Sequence, residues 1–139
     1  MTIIFLVLHA FSLLSFRPAE AGQEAVQEIR ITYLSVDDFQ NRFCSEVYAF
    51  IIDARSKTEY RRVRIEGALN AGSGKVLDQM ADTLDRETPL YIYCTTKTRS
   101  SSAAGHLREL GFVNLYVLES GMRGWKTAGL PVEKRGKRK

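Results

Sequence analysis

Three short apolar runs constrain the fold of this chain more than anything else in it. Ala49-Phe50-Ile51-Ile52 is apolar at every position, which suits a parallel strand buried on both faces. Leu90–Tyr93 reads as a second short buried strand and Leu115–Leu118 as a third, while Ile29–Tyr33 suggests another before them. Helical segments fill the intervals. Ser35 is placed to cap a short amphipathic helix running to Cys44. Thr58–Arg64 has room for a helical turn or two. Lys75 to Leu84 sets Val76, Met80 and Leu84 at helical spacing with Leu77 and Ala81 alongside, Ser100 to Leu110 is helical with Gly111 as its stop, and a closing helix falls around Gly124–Ala128. Strands alternating with helices predict an α/β domain: a central parallel sheet of four to five strands with helices on both faces. With 139 residues, 45% of them hydrophobic, the chain builds one such domain with a full core, and neither a repeat nor a linker interrupts it.

The ends read differently. Ile3 to Phe16 is almost wholly apolar yet short for a membrane span, and Ala19-Glu20-Ala21 puts small residues at both positions that determine cleavage. Residues 1–21 are therefore expected to be a secretory signal peptide cut before Gly22, making the protein exported, periplasmic or secreted, with no stable membrane insertion afterwards. The segment before the apolar run has no Lys or Arg, so an uncleaved N-terminal anchor is the alternative. Residues 1–21 hold only Arg17 and Glu20 as charges, so the remainder keeps the net charge of +4. Much of that excess lies in 134–139, a basic run expected to be a disordered tail. Aromatic and basic residues are not interleaved in the body of the chain, so no nucleic-acid partner is expected.

The chemistry is concentrated after the Leu90 strand. Cys94 and Arg99 stand five positions apart in Cys94-Thr95-Thr96-Lys97-Thr98-Arg99-Ser100. A cysteine at the carboxyl end of a strand, followed by a tight loop into a helix, sits where open α/β sheets bind ligands. Successive loop N–H groups make an anion-binding concavity, and the helix dipole adds positive potential. Thiolate is the nucleophilic form, and such surroundings lower a cysteine pKa from about 8.5 by several units. Cysteine phosphatases use a similar strand–loop–helix but need five residues between cysteine and arginine to surround a phosphate. Here four intervene, and Ser100 stands where their arginine would be.

The loop from Cys94 to Arg99 resembles that of the rhodanese family, which passes a sulfane sulfur through a cysteine persulfide. Further segments on both sides of it carry the resemblance over roughly residues 30 to 132, within a domain spanning 28–133. Ile51-Ile52-Asp53-Ala54-Arg55, with Glu59-Tyr60 and Ile65-Glu66-Gly67-Ala68-Leu69-Asn70, looks like the family's aspartate–arginine strand end and the motif that follows it. Ser120-Gly121-Met122-Arg123-Gly124-Trp125 and Ala128-Gly129-Leu130-Pro131-Val132 look like its C-terminal signature. The chain departs from the pattern at Lys97, where the family often has Gly, at Val63-Arg64 for Gly-His, at Glu66 for Pro, and at Ser120 for Gly. Lys97 matters most. If that position needs a positive φ, a lysine there is strained; if not, Lys97 either adds charge beside the thiolate or points into solvent.

The resemblance implies a sulfurtransferase that moves sulfur from thiosulfate or a related anion to cyanide or a thiol, with Cys94 as nucleophile and without metal or organic cofactor. Thr95, Thr96, Lys97, Thr98, Arg99 and Ser100 would form the substrate loop. Arg99 would hold the donor's sulfonate or brace the loop through its carbonyls, and Ser100 would cap the helix, with a hydroxyl contact to the persulfide as the alternative. Asp53, Arg55 and Glu59 would form a supporting network of ion pairs and hydrogen bonds, with direct substrate contact as the alternative. Trp125 is expected in the core, Cys44 as a small buried hydrophobe with a resolving role toward oxidised Cys94 as the alternative, and His106 too far along its helix to serve as a base. The rivals at this point are a persulfide carrier or protein-interaction module with little small-molecule turnover, an arsenate reductase or phosphatase on the same fold, and an inactive scaffold, against which the retained Cys94 and Arg99 argue.

Overall fold

A computed structural model describes residues 29–134. The expected signal peptide and residues 135–139 of the expected tail lie outside the described residues. The order of elements is β1 (Ile31–Leu34), α1 (Val36–Ser45), β2 (Phe50–Asp53), α2 (Lys57–Arg62), β3 (Val63–Ile65), β4 (Leu69–Asn70), α3 (Gly74–Ala81), β5 (Leu90–Tyr93), α4 (Thr98–Glu109), β6 (Leu115–Leu118), α5 (Gly121–Thr127) and β7 (Val132–Lys134).

Five strands form one parallel sheet in the order β1-β6-β5-β2-β4, the arrangement the alternating sequence predicts. A small antiparallel pair, β3 with β7, stands apart and carries Lys134 as its last residue. No strand signal in the sequence marked β3. Its three residues pair across the fold with Val132–Lys134, and Arg64 bonds to Glu133 across the pair. The first strand also lies two residues later than expected, because its register is set by β6, with Ile31 opposite Leu115 and Leu34 opposite Leu118.

Strand parity divides the core. Leu90 and Ile92 of β5 face an aliphatic cluster with Ile52, Leu115 and Val117, closed by Leu77 and Ala81 of α3 and Ala103, Ala104 and Leu107 of α4. Tyr91 and Tyr93 face the other way, into an aromatic cluster with Phe39 of α1 and Met122 and Trp125 of α5. Tyr91 stacks on Tyr116 and meets the edges of Phe39 and Phe43, arrangements that add to the burial of these large rings. Trp125 is core, as expected, and its indole N–H donates to the Pro131 carbonyl at 2.9 Å. In α3 the buried pair is Leu77 and Ala81, while Val76 is exposed.

Helix α1 begins where Ser35 accepts from the Asp38 N–H at 3.2 Å. Helix α2 begins at a reciprocal cap formed by Ser56 and Glu59. Cys44 is exposed, not buried as expected. Phe39 takes the inward face of α1, and Cys44, five positions on, falls away from it. Cys44 and Cys94 are both free, the first exposed and the second buried. No helix among the described residues is long and apolar enough to cross a membrane.

Candidate active site

Strand β5 is the middle strand of the sheet, with β6 on one side and β2 on the other. The helices that follow β2 and β5 pack on different clusters, Tyr60 of α2 on the aromatic one and α4 on the aliphatic one. The chain therefore diverges at the carboxyl ends of β2 and β5 and opens the crevice in which such sheets hold ligands. Cys94 directly follows β5. By parity it belongs to the aliphatic side, and only 1% of it is exposed.

The loop from Cys94 to Arg99 then turns into α4. Among the described residues, the N–H groups of Thr95, Thr96, Lys97, Thr98, Arg99 and Ser100 have no acceptor in the protein. Orphan donors are ordinary in the first turn of a helix. Here they continue back through the loop, so a run of unpaired amides follows the cysteine, an arrangement suited to accepting an anion.

The loop is held from two sides. On the α2 side, Arg99 forks onto Glu59, with Nη1 at 2.8 Å from Oε2 and Nη2 at 3.0 Å from Oε1. Arg99 Nη2 also donates to the Thr95 hydroxyl at 2.9 Å, and that hydroxyl donates to Glu59 Oε1 at 3.0 Å. One carboxylate thus ties both ends of the loop to the cap of α2. Hydrogen bonds from Arg99, then from Ser56 and Thr95, hold the Glu59 carboxyl well below the usual carboxylate range despite its partial burial. On the α5 side the bonds are main-chain only: Met122 N–H to the Cys94 carbonyl at 2.7 Å, and Arg123 N–H to the Thr95 carbonyl at 3.2 Å. Gly121 makes that approach feasible. Its φ is +57°, and a Cβ there would stand 2.6 Å from the Cys94 carbonyl oxygen and closer still to that of Thr96.

These contacts correct the roles read from sequence. Arg99 does brace the loop, but through Glu59 and Thr95; the loop carbonyls are taken by α5 instead. Ser100 is not the cap. It is the third residue of α4, fully buried, and its hydroxyl reaches the Lys97 carbonyl at 2.8 Å and Cys94 Sγ at 3.4 Å. The cap position falls on Lys97, which makes no side-chain cap bond. Lys97 has φ −133°, so no positive φ is demanded and lysine is unstrained there. Its ammonium lies 3.8 Å from Glu119 and over the Tyr33 ring, so its charge is engaged at the outer edge of β1 and β6.

Asp53, Arg55 and Glu59 do not form a single network. Asp53 and Arg55 make a buried pair at 2.7 Å beneath the surface brace of Glu59. The Tyr93 hydroxyl donates to Asp53 at 2.6 Å and receives the Ile65 N–H at 3.1 Å, while Arg55 also donates to the Val63 carbonyl. Burial first, then the Asp53 charge, pushes the Tyr93 hydroxyl far above the ordinary tyrosine range, so it stays a donor. Asn70 closes the arrangement by donating to the carbonyls of Asp53 and Arg55. Every residue of the pair is satisfied, as a buried charge requires. His106 sits two turns into α4 and bonds to Asp78 of α3 at 2.6 Å, away from the sulfur.

Sequence reasoning missed Gly121, Met122, Arg123 and Asn70 as parts of this site. Ser120–Trp125 was legible as a motif, but a main-chain bond leaves no side-chain signal beyond a glycine whose purpose is unstated.

An open five-stranded parallel sheet flanked by helices, with a buried cysteine at the carboxyl end of its middle strand, defines the class as an α/β domain. Within that class, the description "Rhodanese-like domain" matches residues 35–128, and the chain belongs to that family. A thiosulfate sulfurtransferase, GlpE, of Actinobacillus succinogenes is 32% identical over 85 residues, covering 61% of this chain and 76% of its own length. A candidate sulfur carrier protein, YrkF, of Bacillus subtilis is 30% identical over 95 residues, covering 68% of this chain and 51% of that protein. The crystal structure of the Alr3790 protein from Anabaena superposes with a TM-score of 0.67 at 25% identity, covering 73% of this chain and 91% of that one.

Proposed function

We propose that this domain is a sulfurtransferase working through a persulfide on Cys94. The observation that carries the reading is the buried Cys94 sulfur at the head of a six-residue loop, followed by unpaired amides that run from Thr95 into the first turn of α4 at Ser100. Cys94 thiolate attacks the outer sulfur of thiosulfate. The new bond joins the two sulfurs, the S–S bond of thiosulfate breaks, and its electron pair leaves on sulfite. The persulfide anion then occupies the amide concavity. A second nucleophile, cyanide or a thiolate, attacks the terminal sulfur and carries it off as thiocyanate or as a new persulfide, returning Cys94 as thiolate. Each half-reaction conserves charge and needs neither metal nor redox cofactor. The donor is a small sulfur anion; the acceptor is cyanide, a thiol or a cysteine of another protein. Loop length supports this chemistry over phosphate or arsenate chemistry, because six residues close around a smaller group than seven.

The test is intact mass. The reduced protein should gain one sulfur atom with thiosulfate and lose it to cyanide, and Cys94→Ser should gain none. Absence of that gain with thiosulfate, polysulfide and persulfide donors alike would overturn the reading. The near-complete burial of Cys94 favours a second form of the same chemistry, a carrier that loads readily but discharges slowly to small thiols. Turnover measured after loading separates the two. We also propose export, with cleavage before Gly22; the mass of the protein recovered from the periplasm or the medium tests it.

A further inference from the structure

A cleft of about 210 Å³ opens beside the catalytic loop, between the end of α2 and α5, with Thr95 and Met122 in its wall. Five charged residues line it: Arg55, Glu59, Arg62, Arg123 and Lys126. Two of these charges are already matched, Arg55 by buried Asp53 and Glu59 by Arg99. Arg62, Arg123 and Lys126 are exposed and have no ion-pair partner among the described residues. Three unmatched positive charges therefore face one small cleft at the edge of the site. The sequence does not announce it, since Arg62 lies some sixty residues from the other two. Arg123 and Lys126 are three apart on α5, and so share a helix face.

We infer that this cleft is a subsite for a sulfur acceptor, a small thiol carrying two or more carboxylates; the inference rests on the sulfurtransferase reading. A compact donor such as thiosulfate bears its charge one bond from the reacting sulfur, so the loop amides meet that charge directly. Cations spread over two helices and a 210 Å³ cleft suit a longer anion, whose carboxylates sit here while its thiol reaches over Thr95 to the loop. The thiolate attacks the terminal sulfur of the Cys94 persulfide, the S–S bond to Cys94 breaks, and the bond's electron pair returns to Cys94. The charges act by concentrating and orienting the acceptor, an effect that weakens with salt.

The experiment uses the full chain, reduced and then loaded with thiosulfate. Discharge of the persulfide is timed with mercaptosuccinate and with 2-mercaptoethanol at equal thiolate concentration, at about 10 mM and about 0.15 M ionic strength. The expected result is a preference of about tenfold for mercaptosuccinate at low salt, reduced at high salt, and brought close to one in the triple variant Arg62→Gln, Arg123→Gln, Lys126→Gln. The single variant Lys126→Gln, at a fully surface position, should lower the preference part of the way and covers the case in which the triple variant folds poorly. An equal preference in wild type and variants overturns the inference. So does a triple variant whose loading by thiosulfate slows as much as its discharge, because the cleft would then serve the donor. If no persulfide forms, the sulfurtransferase reading fails on its own, and succinate binding followed by NMR shifts decides the subsite: saturable binding lost in the triple variant sustains it, and no binding ends it.

Discussion

The two sides of the Cys94–Arg99 loop are held by different physics. On the α2 side a single carboxylate, Glu59, gathers Arg99, Thr95 and the Ser56 cap. On the α5 side two main-chain N–H groups meet two loop carbonyls, over a glycine that leaves no room for a side chain. The first brace is charged, partly exposed and titratable; the second is neutral, close-packed and indifferent to pH. The charged side can give locally without unfolding anything, because its groups find water when released. The packed side cannot, since displacing it moves the backbone of Cys94 itself. Under the proposed persulfide chemistry, division of this kind suits a loop that admits a sulfur donor on one flank and keeps Cys94 fixed on the other.

The sharpest way to break the comparison is Gly121→Ala. A left-handed φ costs a side-chain-bearing residue about 1–2 kcal/mol, and forcing atoms into a packed site adds about 1–3 kcal/mol. Equilibrium urea denaturation should show a loss of about 2–4 kcal/mol, with Cys94 loading by thiosulfate strongly slowed in whatever protein remains folded. A loss below about 1 kcal/mol would mean that the α5 flank yields easily and the contrast is false.

Glu59→Gln tests the other flank and should act mainly on rate. The pair with Arg99 is a third to a half exposed, so its contribution to stability is expected at about 1 kcal/mol or less. Loading of Cys94 should fall several-fold as Arg99 and Thr95 lose their common anchor. The same group supplies a pH signature. Its folded-state pKa is depressed below the ordinary 4.5, chiefly by Arg99. The stability it contributes is therefore complete above 4.5 and is lost as pH falls below that value toward the folded pKa. Melts of wild type and Glu59→Gln should differ by a constant amount from neutrality down to that pH and converge under more acidic conditions. A gap that stays constant or widens there would assign the shift to something other than this brace.

These contrasts also explain what could be read from the chain before its structure. Leu90–Tyr93 falls on its expected bounds because four apolar residues follow Pro89 and end just before Cys94-Thr95-Thr96, a signal needing no tertiary context. The loop and its cysteine follow from that strand and from local spacing. In α3, helical spacing in the sequence admits both Val76 and Leu77 as inward residues; only packing against α4 selects Leu77. Ser100 was legible as a polar residue at a helix start, yet the first helical residue is Thr98, so Ser100 is carried inward to the sulfur. The Ser56–Glu59 cap was open to sequence reasoning, since a serine three residues before a glutamate is its ordinary signature. What stayed hidden is non-local: Glu59 meeting Arg99 across forty residues, and α5 donating its main chain to the loop.

Lys97→Gly is the smallest expected effect and marks the boundary of both braces. The position has a negative φ, so glycine relieves no strain. Its ammonium spends its charge on Glu119 at 3.8 Å and on Tyr33, with half of the side chain in solvent. Removing an exposed pair of that kind changes stability by about 0–1 kcal/mol, and glycine adds a few tenths through its freer unfolded chain. Thiosulfate loading should change by less than about twofold. A unit charge acting on the sulfur from a few ångströms would be worth about 1 kcal/mol even in water, a factor of about five in rate. A fall of that size would show that the ammonium leaves Glu119 and turns to the thiolate when an anion arrives. The loop would then have a third, mobile brace beside the charged and the packed one.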